Sequence, residues 1–417
     1  MTVTLIPSGF ARWYAENRIL AWICALIFVN QLGFGSIVPA VPLYARTFDV
    51  PLSAIGLTIA AYGMARFLVG LPAGLISENY GRRHALALGG LITVVGNVMC
   101  ALAPSYLPFL FARFIAGFGA GLVITASQIM MADISTPERR GRMMATYSGV
   151  FTFAVGIGPL PGGLLADWFG LSAPFWAYSI MGLGAAILAW FRVPETKFLR
   201  SATSSSQHST APKPSFIGQM RILTVQPGFL LISLVGFAGF VARTGGLFNI
   251  IPVLGQERLG LTPDQIGLGL ATISVTAVLL AYPSGALADR YGRKLLIVPS
   301  TIMTGVSMVL FLLAPSFLWF MVACAAWSIA TGVQSSAPGA YAADITPPGM
   351  NAAAMSTFRT ISETGYVLGP LVLGLIADLA GANAALGTTA ALMAVVGILF
   401  WLFAPEKSRR KPAAAVT

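Results

Sequence analysis

The chain has 417 residues, of which 56% are hydrophobic and only 9% charged, with 45 glycines and 26 prolines. Soluble globular domains carry roughly 25% charged residues, so most of this surface must meet lipid rather than water. High hydrophobicity excludes disorder, three cysteines in apolar runs exclude a disulfide framework, and a net charge of +11 on so apolar a chain points to basic loops rather than nucleic acid.

A spanning helix needs about 20 mostly apolar residues. Twelve such runs predict an all-α membrane protein, with spans at 19–40, 54–77, 84–103, 107–131, 143–166, 172–193, 226–254, 263–288, 294–314, 317–342, 354–380 and 382–404. Long solid runs exclude a membrane barrel, whose strands alternate over about ten residues. The first span lies behind a polar lead and is expected to be retained rather than cleaved as a signal. Arg82, Arg83, Arg139, Arg140, Arg142, Arg192 to Arg221, Arg290, Arg293 and Lys294 fall on one side with both ends of the chain, and only Arg46 and Arg258 on the other. The positive-inside rule makes that richer side cytoplasmic. Short loops suit a bacterial inner membrane. The serine- and proline-rich stretch 194–225 is expected to be a flexible cytoplasmic linker between six-helix halves at 1–193 and 226–417.

The halves repeat at a constant offset. Pro72, Gly74, Glu78, Tyr80, Gly81, Arg82 and Arg83 return 211 positions later as Pro283, Gly285, Asp289, Tyr291, Gly292, Arg293 and Lys294. Ala132-Asp133-Ile134 returns as Ala343-Asp344-Ile345, Gly158-Pro159 as Gly369-Pro370, Gly163 as Gly374, and Ala166-Asp167 as Ala377-Asp378. Parallel repeats of this kind place a solute site at the bilayer midplane between two similar bundles.

The segment Gly285 to Lys294 resembles the signature loop of the major facilitator superfamily, and the likeness extends over essentially the whole chain. Gly74 to Arg83 is the matching first-half loop, departing from the usual pattern at Ser77 and Glu78. Three further fragments resemble the 12-helix drug:proton antiporter branch: Arg113 with Gly117, Gly119 and Gly121; Gly149, Gly156, Gly158, Pro159, Gly162 and Gly163 in the fifth span; and Pro39 with Pro42. This resemblance implies two pseudo-symmetric six-helix bundles, usually as a monomer. It also implies proton-coupled efflux of small amphiphilic drugs or metabolites by alternating access. The glycines of the fifth span are equally what a close helix crossing selects.

Charge inside the membrane is costly, so each instance is a candidate. Glu363 is the one acid placed deep in a span, a helical turn from Arg359, and is the expected proton-coupling group; a static Arg359–Glu363 ion pair is the competing reading. The resemblance gives Arg113 a part in coupling, against a purely structural contact with helix carbonyls. Arg66 and Arg243 are candidate substrate contacts, with Asn30, Gln31, Gln128, Asn249, Gln334, Tyr62 and Tyr366; Phe34, Phe151, Trp327 and Tyr341 are further aromatic candidates for an apolar pocket. Glu78 and Asp289 are expected at helix N-termini, with Asp133 paired to Arg82 and Asp344 to Arg293, forming a cytoplasmic latch.

The deep arginines leave the cavity net positive, and the first span offers Asn30 and Gln31 where exporters of cations commonly place an acid. Uptake or exchange of an organic anion is therefore the alternative function, and a non-transporting sensor a third. No nucleophile–base set, metal cluster or nucleotide loop is visible, so neither an enzyme nor a cofactor is expected. The expected partners are a small-molecule substrate, protons and the lipid bilayer.

Overall fold

The computed structural model describes residues 17–135, 139–197, 216–334, 337–347 and 350–405, and every regular element among them is helical. In chain order these are α1 (Arg18–Ile37), α2 (Ala40–Arg46), α3 (Leu52–Leu68), α4 (Gly70–Tyr80), α5 (Arg82–Ala101), α6 (Tyr106–Ile134), α7 (Arg140–Ile157), α8 (Pro159–Phe169) and α9 (Ala173–Arg192). They continue as α10 (Phe216–Val225), α11 (Pro227–Phe240), a π-helical stretch Val241–Ile250, α12 (Ile251–Leu259), α13 (Pro263–Tyr291), α14 (Arg293–Leu313), α15 (Phe317–Gln334), α16 (Ala337–Ile345), α17 (Asn351–Ala380) and α18 (Ala382–Phe403). Each of the twelve predicted spans coincides with a helix or a consecutive set. Among the described residues ten are long and apolar enough to cross a membrane, and α3 with α4 makes an eleventh bent by 47°. Pro72 accounts for that bend: it has no N–H to offer the Leu68 carbonyl, and its ring displaces that carbonyl.

Two compact units result. The first contains Met1–Thr210 with Pro252–Val275, the second Ala211–Ile251 with Thr276–Thr417. Residues 252–275 thus pack with the first unit, beyond the sequence-based boundary. The stretch expected to be a flexible linker is ordered at both ends: Glu195 and Thr196 hydrogen-bond to the first unit, and 216–225 is helical. The intervening 198–215 lie outside the described residues. In the first unit an apolar core of Ile23, Leu26, Leu86, Leu122, Met130 and their neighbours is sealed from solvent. The helices α5, α9, α14 and α18 carry exposed apolar residues such as Leu91, Ile180, Val306 and Ile398, the surface that a lipid-facing helix presents.

The repeat is visible in the backbone. Gly81 and Gly292 have φ of 100° and 97°, and Gly170 and Gly381 have 89° and 90°, each pair 211 residues apart. The left-handed region is open to glycine without strain, so the same turn is built twice.

Glycines of the fifth span act on two faces. A Cβ at Gly158 would come within 2.6 Å of the Gly35 Cα, and one at Gly162 would fall on the Ser36 carbonyl; one at Gly163 would meet the Pro263 carbonyl at 2.5 Å. Gly149, by contrast, has open space around it. Gly162→Val should therefore cost about 3 kcal/mol through forced separation of α8 from α1, read as a lower Tm of the purified protein. Gly149→Ala should leave Tm unchanged or raised; equal losses in the two variants would refute the close-crossing role.

Candidate functional site

The first unit builds a buried cationic centre from the spacing of α6. Arg113, Gly117 and Gly121 recur every four residues and so share one face. A Cβ at Gly117 would lie 2.9 Å from the Tyr62 Cα and one at Gly121 2.9 Å from the Arg66 Cα, so these glycines let α3 lie directly against α6. Close approach brings the Arg113 guanidinium to 4.4 Å from the centre of the Tyr62 ring. Tyr62 in turn stacks on Phe34 at 5.2 Å. Arg113 is only 2% exposed, and its Nε and Nη1 groups find no hydrogen-bond acceptor among the described residues. Tyr178 lies within electrostatic range of both Arg113 and Arg66, the latter half-buried one turn beyond Tyr62. Asn30 and Gln31 are buried and hydrogen-bonded to each other at 3.0 Å. Gln128, fifteen residues along α6 from Arg113, lies about 22 Å away and is not part of this centre.

In the second unit Arg359 Nε meets Glu363 Oε1 at 2.7 Å, with side chains 53% and 30% exposed. Glu363 is unusual in position. All other described carboxylates lie within two residues of a helix end or between helices, whereas Glu363 is twelve residues into α17. Arg243 lies in the π-helical stretch, exposed, 5.5 Å from the Phe248 ring centre. Beside it Pro370 lacks the N–H that would have bonded the Tyr366 carbonyl; Thr244 Oγ1 approaches that carbonyl at 3.3 Å while also within 2.8 Å of the Phe240 carbonyl, the shorter acceptor for its one proton. Asn249 Nδ2 donates to the Pro370 carbonyl at 3.4 Å. π-Helical segments concentrate at functional sites, and composition gives no sign of this one. Tyr366 packs near Phe240 at 6.3 Å. Trp327 is buried in packing, and Tyr341 donates to the Pro405 carbonyl at 2.7 Å and packs on Phe400. The side chains of Gln334 and Asp289 lie outside the described residues.

At the basic end of the first unit, Arg82 spends all three nitrogens: Nε to Asp133 Oδ2 at 2.9 Å, Nη1 to the Ser77 carbonyl at 3.0 Å, and Nη2 to Glu78 Oε1 at 2.9 Å. Arg293 and Asp344 meet at 2.6 Å in the second unit, but half-exposed. A residue that sequence reasoning missed completes the first network. Glu195 accepts the backbone N–H groups of Arg82 at 3.0 Å, Arg83 at 3.1 Å and Lys197 at 3.0 Å, and so caps the start of α5. Its neighbour Thr196 donates to Asp133 at 3.0 Å. The signal was available: Pro194-Glu195 returns as Pro405-Glu406 at the same offset of 211.

Burial pushes the Glu195 carboxyl up, but the N–H donors of Lys197, Arg82, Arg83 and Thr196 outweigh it, leaving its pKa below the ordinary value. Its stabilisation is then complete above the unfolded pKa of about 4.3 and is lost as pH falls through the lower folded value. Glu195→Gln should cost about 1 kcal/mol at neutral pH, as a helix cap does. The Tm gap to the parent protein should close in acid below about pH 4; a gap that persists there would refute the cap.

The sequence profile of the Major Facilitator Superfamily matches residues 23–262 and 236–417. An uncharacterized MFS-type transporter of Methanocaldococcus jannaschii is 25% identical over 93% of this chain and 98% of its own. Multidrug resistance protein 2 of Bacillus subtilis is 25% identical over 87% of this chain and 90% of its own. Among solved structures, a bacterial homolog of the human lysosomal transporter Spinster, inward-facing and occupied, superposes with a TM-score of 0.77 at 17% identity, covering 93% of this chain and 97% of that one.

Proposed function

The chain belongs to the major facilitator superfamily, and from that premise we propose that it is a proton-coupled exporter of small amphiphilic drugs or metabolites, working by alternating access. It is a multi-pass membrane transporter and not an enzyme. In this reading it works as a monomer in a bacterial inner membrane, termini cytoplasmic, with halves at 1–193 and 226–417 as the moving bodies. The relative named as a multidrug resistance protein supports export.

One observation carries the coupling. Glu363 is the only described carboxylate remote from a helix end, and it meets Arg359 in a partly exposed pair that substrate or conformational change can separate. A carboxylate that loses its cationic neighbour in a low-dielectric setting takes up a proton, and one that regains it gives the proton back. Arg82, Asp133 and Glu78, with Arg293 and Asp344, serve as the latch that biases one state. The test is proton exchange in weakly buffered detergent solution. Compounds that raise Tm should shift the bulk pH on addition, by uptake where they separate the pair and by release where they restore it; if none that bind does either, the coupling reading fails.

A second reading has its own observation. Arg113 is buried with two N–H groups unaccepted and no carboxylate at salt-bridge distance among the described residues. A buried charge without a partner is expensive, and an anionic substrate group would supply the partner. Matched probes separate the readings: 2-naphthoate should raise Tm more than 2-naphthamide if the substrate is an anion, and no more than it otherwise.

A further inference from the structure

On α9 the exposed residues Ile180, Leu183, Ile187 and Trp190 step along one face to the helix end, and on α18 Ile398 and Trp401 do the same. Each tryptophan is covered by a cation from the neighbouring helix: the Arg83 guanidinium lies 5.1 Å from the Trp190 ring centre and the Lys294 Nζ 5.8 Å from that of Trp401. Arg83 and Lys294 are 211 apart, as are Trp190 and Trp401, so the duplicated unit kept the pair in both copies. Neither cation has a carboxylate at salt-bridge distance among the described residues. The Nε of Arg83 is buried with no acceptor, and exposed His84 stands edge-on to Trp190 at 5.4 Å. Glu195, which caps the start of α5, has its oxygens on backbone N–H groups, including that of Arg83.

We propose that each pair is a binding site for the phosphate of an anionic phospholipid, with Arg83, His84 and Trp190 forming one and Lys294 and Trp401 the other. The two parts of the ligand are matched in order: acyl chain on the apolar face, indole at the interfacial depth that tryptophan favours, phosphate on the cation. A zwitterionic choline headgroup would bring its own cation against Arg83 and Lys294, so the sites discriminate by charge.

Native mass spectrometry of the purified full chain, given equal phosphatidylglycerol and phosphatidylcholine, tests this directly. Up to two phosphatidylglycerol molecules should be retained in preference to phosphatidylcholine. Arg83→Gln should weaken one by about fivefold and Lys294→Gln the other by about fivefold, since a basic side chain at an anionic leaflet gains roughly 1 kcal/mol. Arg83→Lys should keep most of its retention. If the glutamine variants do not fold, rising salt on the unmodified protein reads the same charge dependence. Equal retention of the two lipids, or phosphatidylglycerol retention indifferent to both variants and salt, overturns the proposal. Inorganic phosphate alone should neither bind measurably nor displace the lipid; displacement would assign the sites to free phosphate instead.

Discussion

Glu363→Gln should abolish substrate accumulation driven by a proton gradient in proteoliposomes while leaving substrate–substrate exchange intact. An i,i+4 ion pair as exposed as Arg359–Glu363 contributes about 0.3 to 0.5 kcal/mol, too little for its loss to unfold the protein. Glutamine keeps the shape and an oxygen for Arg359 but cannot exchange a proton, so coupling should vanish rather than diminish by a factor. Glu363 lies about 18 Å along the axis from the first residue of α17, from twelve residues at 1.5 Å each. That depth is what a coupling group needs and what a surface ion pair does not. Arg359→Gln is the companion: it breaks the same pair but spares the proton carrier, so residual gradient-driven transport should survive. Accumulation by the Glu363→Gln protein equal to the parent would remove Glu363 from the mechanism and leave the Arg359–Glu363 contact as a static pair.

The helices were legible because hydropathy and helix length are properties of contiguous sequence, and the twelve spans needed nothing else. Repetition at one offset carried more: it placed the two tight turns at Gly81 and Gly292 and brought Arg82 to Asp133 and Arg293 to Asp344. What stayed hidden depends on contacts between elements. The π-helical stretch around Arg243 lies where Thr244 and Asn249 meet the broken hydrogen-bond ladder at Pro370, a juxtaposition that no window of composition registers. Grouping of 252–275 with the first unit rests on Gly163 against Pro263 and Gly267, glycines distant in sequence. Glu195 stands just outside a span, where charge is ordinary; the repeat of Pro194-Glu195 as Pro405-Glu406 marks the position, but only its backbone partners give it a role. Arg113 was visible as a candidate, but its stacking on Tyr62 and its unaccepted N–H groups were not, since they depend on which face Gly117 and Gly121 turn to α3.

Asp133→Ala should be the most destabilising single change at the basic end, while its repeat counterpart Asp344→Ala should be nearly silent. In the first unit the side chains of Arg82 and Asp133 are 1% and 3% exposed, whereas Arg293 and Asp344 are 25% and 48% exposed. Removing one partner of a buried pair leaves a desolvated charge and costs about 3 to 5 kcal/mol; a solvent-exposed pair is worth about 0 to 1. Asp133 also accepts from Thr196, so its loss loosens the segment that positions the Glu195 cap, and the two effects should not simply add. Glu78 softens the loss only slightly, because it bonds a different nitrogen from half-exposed ground. Thermal melts of the two alanine variants in the same detergent give the comparison, with the double variant Arg82→Leu plus Asp133→Leu as the control. Replacing a buried pair by apolar residues of similar size is often neutral, so the double variant should recover most of the lost Tm. Equal shifts for Asp133→Ala and Asp344→Ala would mean that Arg82 is reached by water, and that the two halves, alike in sequence, are alike in energetics as well.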